Sequence, residues 1–295
     1  MQYLYHMFWK LLIVTCILPV FAYSQPGTEI LLFDLEKDKN GKYVIRNARN
    51  ITNHKGYDNQ PFFHPKRPEV YYASAIDSTN VEIMVYDIKA GKARQFSFTP
   101  ENEFSPTVTP DQQFISCIIQ RRNGAQDLGK FPVMGKDPVI LESELKVGYH
   151  AWADKSKLLL FVLADSANFL FYYDTKLKQK KIIAQNIGRS LHKIPNRNAV
   201  SYIEKEGTTR AIRWFNANTK ASGTITSGLP GREDVCWNKD GALFISDGTK
   251  LYSFLQGKDS TWQEVTIEGD TSAIKNVTRL AINAAGNKLA MVVTE

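Results

Sequence analysis

The sequence lacks the short motifs that mark the common hydrolytic and nucleotide-binding sites. Gly188-Arg189-Ser190 begins like a nucleophile elbow but continues with Leu191-His192, so the second glycine of that motif is missing. No zinc-protease helix motif and no phosphate-binding glycine loop occurs either. Glu233 and Asp234 could do acid–base chemistry, but adjacent residues of a strand point to opposite faces and make a poor pair. We therefore find no catalytic constellation and favour a non-enzymatic interpretation.

Long helical and basic patterns are missing as well. No amphipathic helix of useful length is present, and the longest basic cluster is Lys178-Gln179-Lys180-Lys181. The formal net charge of +7 is therefore spread along the chain, which argues against nucleic-acid binding. Hydrophobic residues make up 43% and aromatic residues 12%, a composition that supports a packed core and favours β-structure.

The one apolar run near the N-terminus is too short to anchor the chain in a bilayer. It extends from Leu11 to Ala22 after the charged Lys10, whereas a spanning helix needs about 20 apolar residues. Small residues in Ala22-Tyr23-Ser24 fit a signal-peptidase site, so we predict a secretory signal over 1–24, cleaved before Gln25. The start codon is Met1 or Met7. The protein is then exported to the periplasm or beyond, is not membrane-spanning, and consists of one domain over 25–295.

One pattern recurs six times at an even period. It consists of a short strand that ends in a bulky apolar residue, a polar turn, and a second, strongly apolar strand. The marker residues that end the first strands are Phe63, Val108, Trp152, Ile194, Trp237 and Ile282, at spacings of 45, 44, 42, 43 and 45. The turns contain Pro, Asp, Asn and Gly, which suit hairpins. A period of this length with repeated strands is typical of a propeller.

Third and fourth strands complete each repeat. Third strands end in an aromatic residue and Asp or Asn, as in Tyr172-Tyr173-Asp174, and a fourth strand such as Lys181 to Ala184 follows. We predict an all-β, six-bladed propeller with four-stranded antiparallel blades. The last repeat stops after its second strand, and the exported chain begins with a third strand, Ile30 to Asp34. The two termini should therefore share one blade and close the ring.

Two of the repeats carry a family resemblance. Asp58-Asn59-Gln60-Pro61-Phe62-Phe63-His64-Pro65 and the segment from Glu103 to Asp111 resemble the WD-like repeats of TolB propellers of the bacterial envelope. The shared-blade closure is similar too. Later turns, such as Ala153-Asp154, are degenerate, and blade two has Phe131-Pro132-Val133-Met134 where an aromatic–Asp ending is expected. TolB carries an additional N-terminal α/β domain, for which we expect no room here.

The propeller arrangement also bears on the cysteines and histidines. Cys117 and Cys236 fall in blades two and five, on opposite sides of a six-bladed ring, so we predict that both are free and buried. His150 and His192 occupy equivalent positions in neighbouring blades, about 9 Å apart by strand spacing. We interpret them as structural histidines near the axis and predict neither a metal nor a cofactor.

The starts of the innermost strands are polar and should surround one mouth of the central channel, where propellers bind ligands. The candidate binding residues are Asp58, Asn59, Glu103, Tyr149, His150, Arg189, His192, Arg232, Glu233, Asp234 and Arg279. The alternatives are a solvated rim with no partner and, for Tyr149, packing between blades. The leading hypothesis is a non-enzymatic module that binds a protein or peptide at this mouth. A propeller hydrolase or lyase, or a small-ligand sensor, are the other hypotheses.

Overall fold

The computed structural model describes residues 27–77, 80–135 and 137–295. The predicted signal sequence, 1–24, lies outside the described residues. The chain begins with β1 (Thr28–Lys37) and β2 (Tyr43–Asn50), which belong to the blade that closes the ring. The described residues then form five complete blades, each a four-stranded antiparallel sheet with its first strand against the channel.

The strands of these blades follow one another in chain order. Blade one comprises β3 (Asp58–Phe63), β4 (Glu69–Ala75), β5 (Val81–Asp87) and β6 (Lys92–Gln95). Blade two comprises β7 (Asn102–Val108), β8 (Phe114–Gln120), β9 (Gln126–Pro132) and β10 (Val139–Glu142). Blade three comprises β11 (Val147–Trp152), β12 (Lys157–Val162), β13 (Phe169–Asp174) and β14 (Gln179–Gln185).

Blade four comprises β15 (His192–Lys193), β16 (Ala199–Glu206), β17 (Thr209–Asn216) and β18 (Ser222–Ser227). Blade five comprises β19 (Val235–Trp237), β20 (Ala242–Ser246), β21 (Leu251–Leu255) and β22 (Gln263–Glu264). The chain ends with β23 (Thr266–Ile267), β24 (Arg279–Ile282) and β25 (Lys288–Thr294).

The closing blade is built from both ends of the chain, as predicted. β24 pairs with β25, β25 pairs antiparallel with β1 from Thr28–Thr294 to Asp34–Lys288, and β1 pairs with β2. The six-bladed fold is therefore confirmed across the part of the chain that the structure describes. Ring closure pairs strand edges that would otherwise be open to other chains.

The closing blade differs from the prediction in having a fifth strand. β23 pairs in parallel with the outer edge of β2, through Val44–Thr266 and Ile45–Ile267. Val265, which precedes this pairing, is buried against Ile45 in one core cluster. Burial of that side chain holds the segment after blade five against β2 of the closing blade. A two-residue strand gives too weak a sequence pattern to be predicted.

The core lies between the blades, and the sequence pattern of the second strands explains why. In β12, Leu158, Leu159, Leu160, Phe161 and Val162 are all buried, because the strand is covered on both faces. The turns after the first strands use positive φ where predicted, at Gly241 (86°) and Gly286 (71°).

Repeated hydrogen bonds join particular blades. The indole Nε1 of Trp152 donates to Ser116 Oγ at 2.9 Å, which ties blade three to blade two. Trp237 donates in the same way to Ser201 Oγ at 2.8 Å, which ties blade five to blade four. Both tryptophans therefore pack between neighbouring blades.

Both predicted free thiols are found. Cys117 and Cys236 are unbonded and buried, and burial raises the pKa of each thiol above its usual range. Within 27–77, 80–135 and 137–295, no helix is long and apolar enough to cross a membrane.

Candidate functional site

The channel widens at one end into a cavity of about 640 Å³, here called the chamber. It lies at the turns that join the first and second strands of the blades, and its walls are largely apolar. The wall residues include Pro61, Pro65, Pro106, Val108, Trp152 and Leu191. A volume of this size is in the range of pockets that enclose a drug-sized ligand.

Four side chains from four blades meet at the floor of the chamber. Arg189 Nη2 donates to Asp234 Oδ2 at 2.8 Å, and Arg279 Nη1 donates to Asp234 Oδ1 at 2.6 Å. Arg279 Nη2 also donates to the Tyr149 hydroxyl at 2.8 Å. We call Tyr149, Arg189, Asp234 and Arg279 the waist cluster, because the bond between Tyr149 and Arg279 crosses the channel from blade three to the closing blade.

The sequence repeat brings the waist cluster together. Arg189 and Asp234 are 45 residues apart, as are Asp234 and Arg279. Each lies at or just before the first strand of its blade, so the propeller repeat carries all three to the axis. These residues were predicted at a channel mouth, whereas the structure places them deeper, at the constriction.

The waist cluster carries an excess of positive charge. Burial opposes ionisation of Asp234, but the two neighbouring guanidiniums outweigh it and hold the pKa of this carboxyl below its usual range. Two arginines and one ionised carboxylate leave a net charge of about +1 on the cluster, because arginine stays protonated. This charge faces an apolar cavity, where water screens it less than at the surface.

The two candidate histidines lie beside the chamber and are neutral at physiological pH. Burial lowers the pKa of His150 to about 3 and that of His192 to about 4, where Arg279 adds to the effect and Asp234 opposes it. His150 Nε2 lies 2.7 Å from Ser116 Oγ, and its Nδ1 has no hydrogen-bond partner within the described residues.

A second cavity of about 580 Å³ lies at the opposite end of the channel, and we call it the far cavity. Asn59 and Glu233 line it, together with Lys205. Tyr149, Arg189 and Arg279 line both the chamber and the far cavity, so the waist cluster separates the two. A smaller side pocket of about 240 Å³ contains the candidate residue Arg232.

Asp58 and Glu103 lie away from all three of these cavities, in contacts between blades. Asp58 is fully buried next to His54, whose Nε2 is 3.2 Å from its carboxylate. Burial raises the pKa of Asp58 to about 6. Glu103 is fully buried opposite Glu82 of blade one. The mouth predicted from the strand starts therefore does not include these two acids.

Two chamber features were not predicted. The first strands of blades one and two each contain an irregular step in their pairing, at Gln60 and Ser105. Both residues have positive φ, 58° and 54°, and each precedes a proline of the chamber wall. Gln60 Oε1 accepts a hydrogen bond from the Ser105 amide at 2.6 Å. A proline inside a predicted strand is the sequence signal that could have indicated these bulges.

Ligand-type side chains do not group into a metal centre among the residues that the structure describes. In the described part of the chain, no three His, Cys, Asp or Glu side chains are placed together as a metal ion would require. The chemistry that this site does offer is an apolar enclosure with hydrogen-bond donors and positive charge at its floor.

Solved structures share this fold, although no family model and no curated protein matches the sequence. A proposed TolB protein from Agrobacterium tumefaciens is 10% identical over 92% of this chain and 99% of that one, with a TM-score of 0.69. TolB from Acinetobacter baumannii is 10% identical over 90% of this chain and 63% of that one, with a TM-score of 0.58. A gluconolactonase from Xanthomonas campestris is 10% identical over 92% and 98%, with a TM-score of 0.61.

At these identities the likeness shows the fold. The predicted resemblance to the TolB propeller is confirmed at that level. Because an enzyme shares the same architecture, the fold is compatible with more than one function.

Proposed function

We propose that this protein is an exported, non-enzymatic binding module that receives a protein or peptide partner at one mouth of its channel. The observation that carries the proposal is the chamber, an apolar enclosure of about 640 Å³ with a positively charged floor. An enclosure of this kind suits one end of a chain or an extended segment better than a flat protein surface. This moves the proposed contact from the predicted mouth at the strand starts to the opposite mouth.

Similarity of fold to two TolB structures supports the envelope as the place of action. The sequence features of 1–24 support export independently.

The titratable groups around the chamber favour binding over catalysis. Asp234 has both oxygens engaged by arginines and a lowered pKa, so it is a weak proton acceptor. Ser116 lies beside His150, but it is fully buried and also accepts the Trp152 indole, so a substrate cannot reach it. These groups stabilise the blades and the floor of the chamber.

The second candidate is a propeller enzyme, a hydrolase or lyase acting on a glycan or peptide. The depth of the chamber and its apolar walls favour this candidate, since reactions profit from exclusion of water. The gluconolactonase that shares the fold is an example of the architecture used by an enzyme. Release of product from a lactone, glycan or peptide panel, abolished by closing the chamber, would select this candidate.

Capture from envelope extracts tests the binding proposal. Residues 25–295 are immobilised, and captured proteins are identified and then retested as purified partners. Lys155 and Asn198 are exposed at the chamber mouth, so Lys155→Trp and Asn198→Trp should close it without disturbing the core. Lys176 is exposed in an outer turn of blade three, and Lys176→Trp is the matched control. A partner retained by the control and lost with the mouth variants supports the proposal. Equal retention by all variants contradicts it.

A further inference from the structure

We infer that the chamber recognises a carboxylate on an apolar ligand, and that Arg189 receives it; the ligand end that fits best is the free C-terminus of a peptide with apolar side chains. This inference rests on the proposed function and names the chemistry of its partner.

The side chains around the chamber carry an excess of positive charge. Its lining includes four cationic side chains, Lys155, Arg189, Lys193 and Arg279, and two acidic ones, Asp154 and Asp234. Four positive and two negative charges leave +2. Asp154 is further engaged by Lys157, which is 3.3 Å away. The nearby His192 adds no charge near neutral pH, because burial holds its pKa at about 4. A ligand group of negative charge is therefore favoured in the chamber.

The two floor arginines differ in how their nitrogens are engaged in hydrogen bonds. Arg279 uses Nη1 on Asp234 and Nη2 on Tyr149. Arg189 uses Nε and Nη2 on Asp234, and Nη2 also on the Thr278 carbonyl. Its Nη1 makes no hydrogen bond to the residues that the structure describes, and 39% of its side chain is exposed. Arg189 thus keeps one terminal nitrogen without a partner among the described residues, and its side chain lines the chamber as well as the far cavity and the side pocket. Both terminal nitrogens of Arg279 are engaged.

The unpartnered nitrogen of Arg189 suits a single anionic group on the ligand. A guanidinium pairs well with a carboxylate, and such charge-assisted hydrogen bonds are stronger than neutral ones. Asp234 already neutralises one of the two guanidiniums of the waist cluster. The charge of about +1 that remains on the cluster suits a monoanion better than a phosphate dianion.

The chamber combines apolar walls with a charged inner end. Pro61, Pro106 and Leu191 give the chamber apolar walls, and the waist cluster lies across its inner end. A chain that enters between these walls meets charged side chains at its tip and cannot continue through them. A peptide C-terminus fits both the walls and the floor, because its apolar side chains would contact the walls and its carboxylate would lie at the floor. A small apolar carboxylic acid presents the same chemistry.

Fluorescence anisotropy with defined probes tests the inference. The probes are a fluorescein-labelled pool of pentapeptides of Ala, Val, Leu and Phe with a free C-terminus, and the same pool with an amidated C-terminus. Against residues 25–295, we expect the free-acid pool to bind at least tenfold more tightly than the amidated pool. Octanoate serves as the small-molecule competitor.

Three variants make the test specific. Arg189→Gln should abolish the preference for the free acid, and Arg189→Lys should retain part of it, since the charge remains without the planar fork. Arg122 is exposed on blade two, and Arg122→Gln should leave the preference unchanged. Thermal unfolding of each variant checks that the fold is intact.

The outcomes separate this inference from the proposed function. Equal binding of acid and amide pools, both lost with Lys155→Trp, would overturn carboxylate recognition and leave the binding module standing. Octanoate that binds more tightly than the peptide pool, with the same dependence on Arg189, would overturn the inference that the carboxylate belongs to a peptide. Absence of binding by any probe would overturn the inference, while the capture experiment still judges the proposed function on its own.

Discussion

Replacing Glu103 with glutamine should stabilise the propeller at and above neutral pH. Glu103 and Glu82 face each other between blades two and one, 0% and 1% exposed. Ser97 Oγ lies 2.5 Å from Glu82 Oε2 and 3.1 Å from Glu103 Oε2. Burial, helped by the neighbouring carboxylate, raises the pKa of Glu103 to about 8. The folded protein therefore holds a proton at this pair that the unfolded chain releases.

The sign of the effect follows from that proton. Between the ordinary pKa of 4.5 and the folded pKa of about 8, the folded state binds more protons, so its stability falls as pH rises. pH 7 lies about 2.5 pH units above the ordinary value, at about 1.4 kcal/mol per unit, which gives about 3.5 kcal/mol as an upper bound. Glutamine does not ionise, and its amide can donate to Glu82 while its oxygen accepts from Thr99. We expect Glu103→Gln to gain about 2 kcal/mol at pH 8 and nothing at pH 4.5.

Urea unfolding at several values between pH 4.5 and 8 measures this difference directly. A gain of about 2 kcal/mol should raise the melting temperature by about 4–8 °C at pH 8. Glu206 is exposed at a hairpin turn of blade four, so Glu206→Gln is a control that should not change the pH dependence. If Glu103→Gln and the wild type lose stability in parallel between pH 4.5 and 8, the reasoning about the shared proton is refuted.

Three further outcomes are expected. Trp152→Phe and Trp237→Phe should each lower the free energy of unfolding by about 1 kcal/mol through the lost hydrogen bond. The two losses should be nearly additive, since the two bonds share no partner. Unchanged melting temperatures would contradict this. Cys117 and Cys236 should resist a thiol reagent in the native protein and react fully in denaturant, because both are buried; rapid native labelling would disprove their burial. Tyr149→Phe should lower stability by about 1 kcal/mol by removing a partner of the waist guanidinium, and an unaltered urea midpoint would show that this bond is not needed.

The architecture could be predicted because each blade repeats the same local chemistry. Five of the six markers end their strands as expected, and Ile194 directly follows the two-residue first strand of blade four. The hairpin turns and apolar second strands follow from short-range pattern. Closure of the ring was also predictable, since the incomplete repeats at the two ends complement each other. Pairing of β1 with β25 is the result.

The direction of individual side chains at the strand starts could not be predicted, because it depends on register. Bulges at Gln60 and Ser105 shift the pairing of the first strands in blades one and two, and a one-residue shift moves a side chain to the other face. Asp58 and Glu103, which precede these bulges, are therefore buried between blades. Tertiary packing, not local pattern, determines this outcome.

The residues of the waist cluster show the opposite case. Arg189, Asp234 and Arg279 were each chosen as polar residues near a strand start, and their common spacing of 45 residues placed them at equivalent positions. What the spacing could not give is that Asp234 bonds to the arginines of both neighbouring blades and that Arg279 reaches Tyr149 across the axis. That contact needs the diameter of the closed ring, which only the folded structure supplies.

A crystal structure of residues 25–295 with an apolar pentapeptide bound would test the central claim most directly. The account predicts that the peptide lies in the chamber with its C-terminal carboxylate against Arg189 and its side chains against the proline walls. A peptide bound in the far cavity, on an outer blade edge, or in the chamber with its carboxylate turned away from the waist cluster would contradict it.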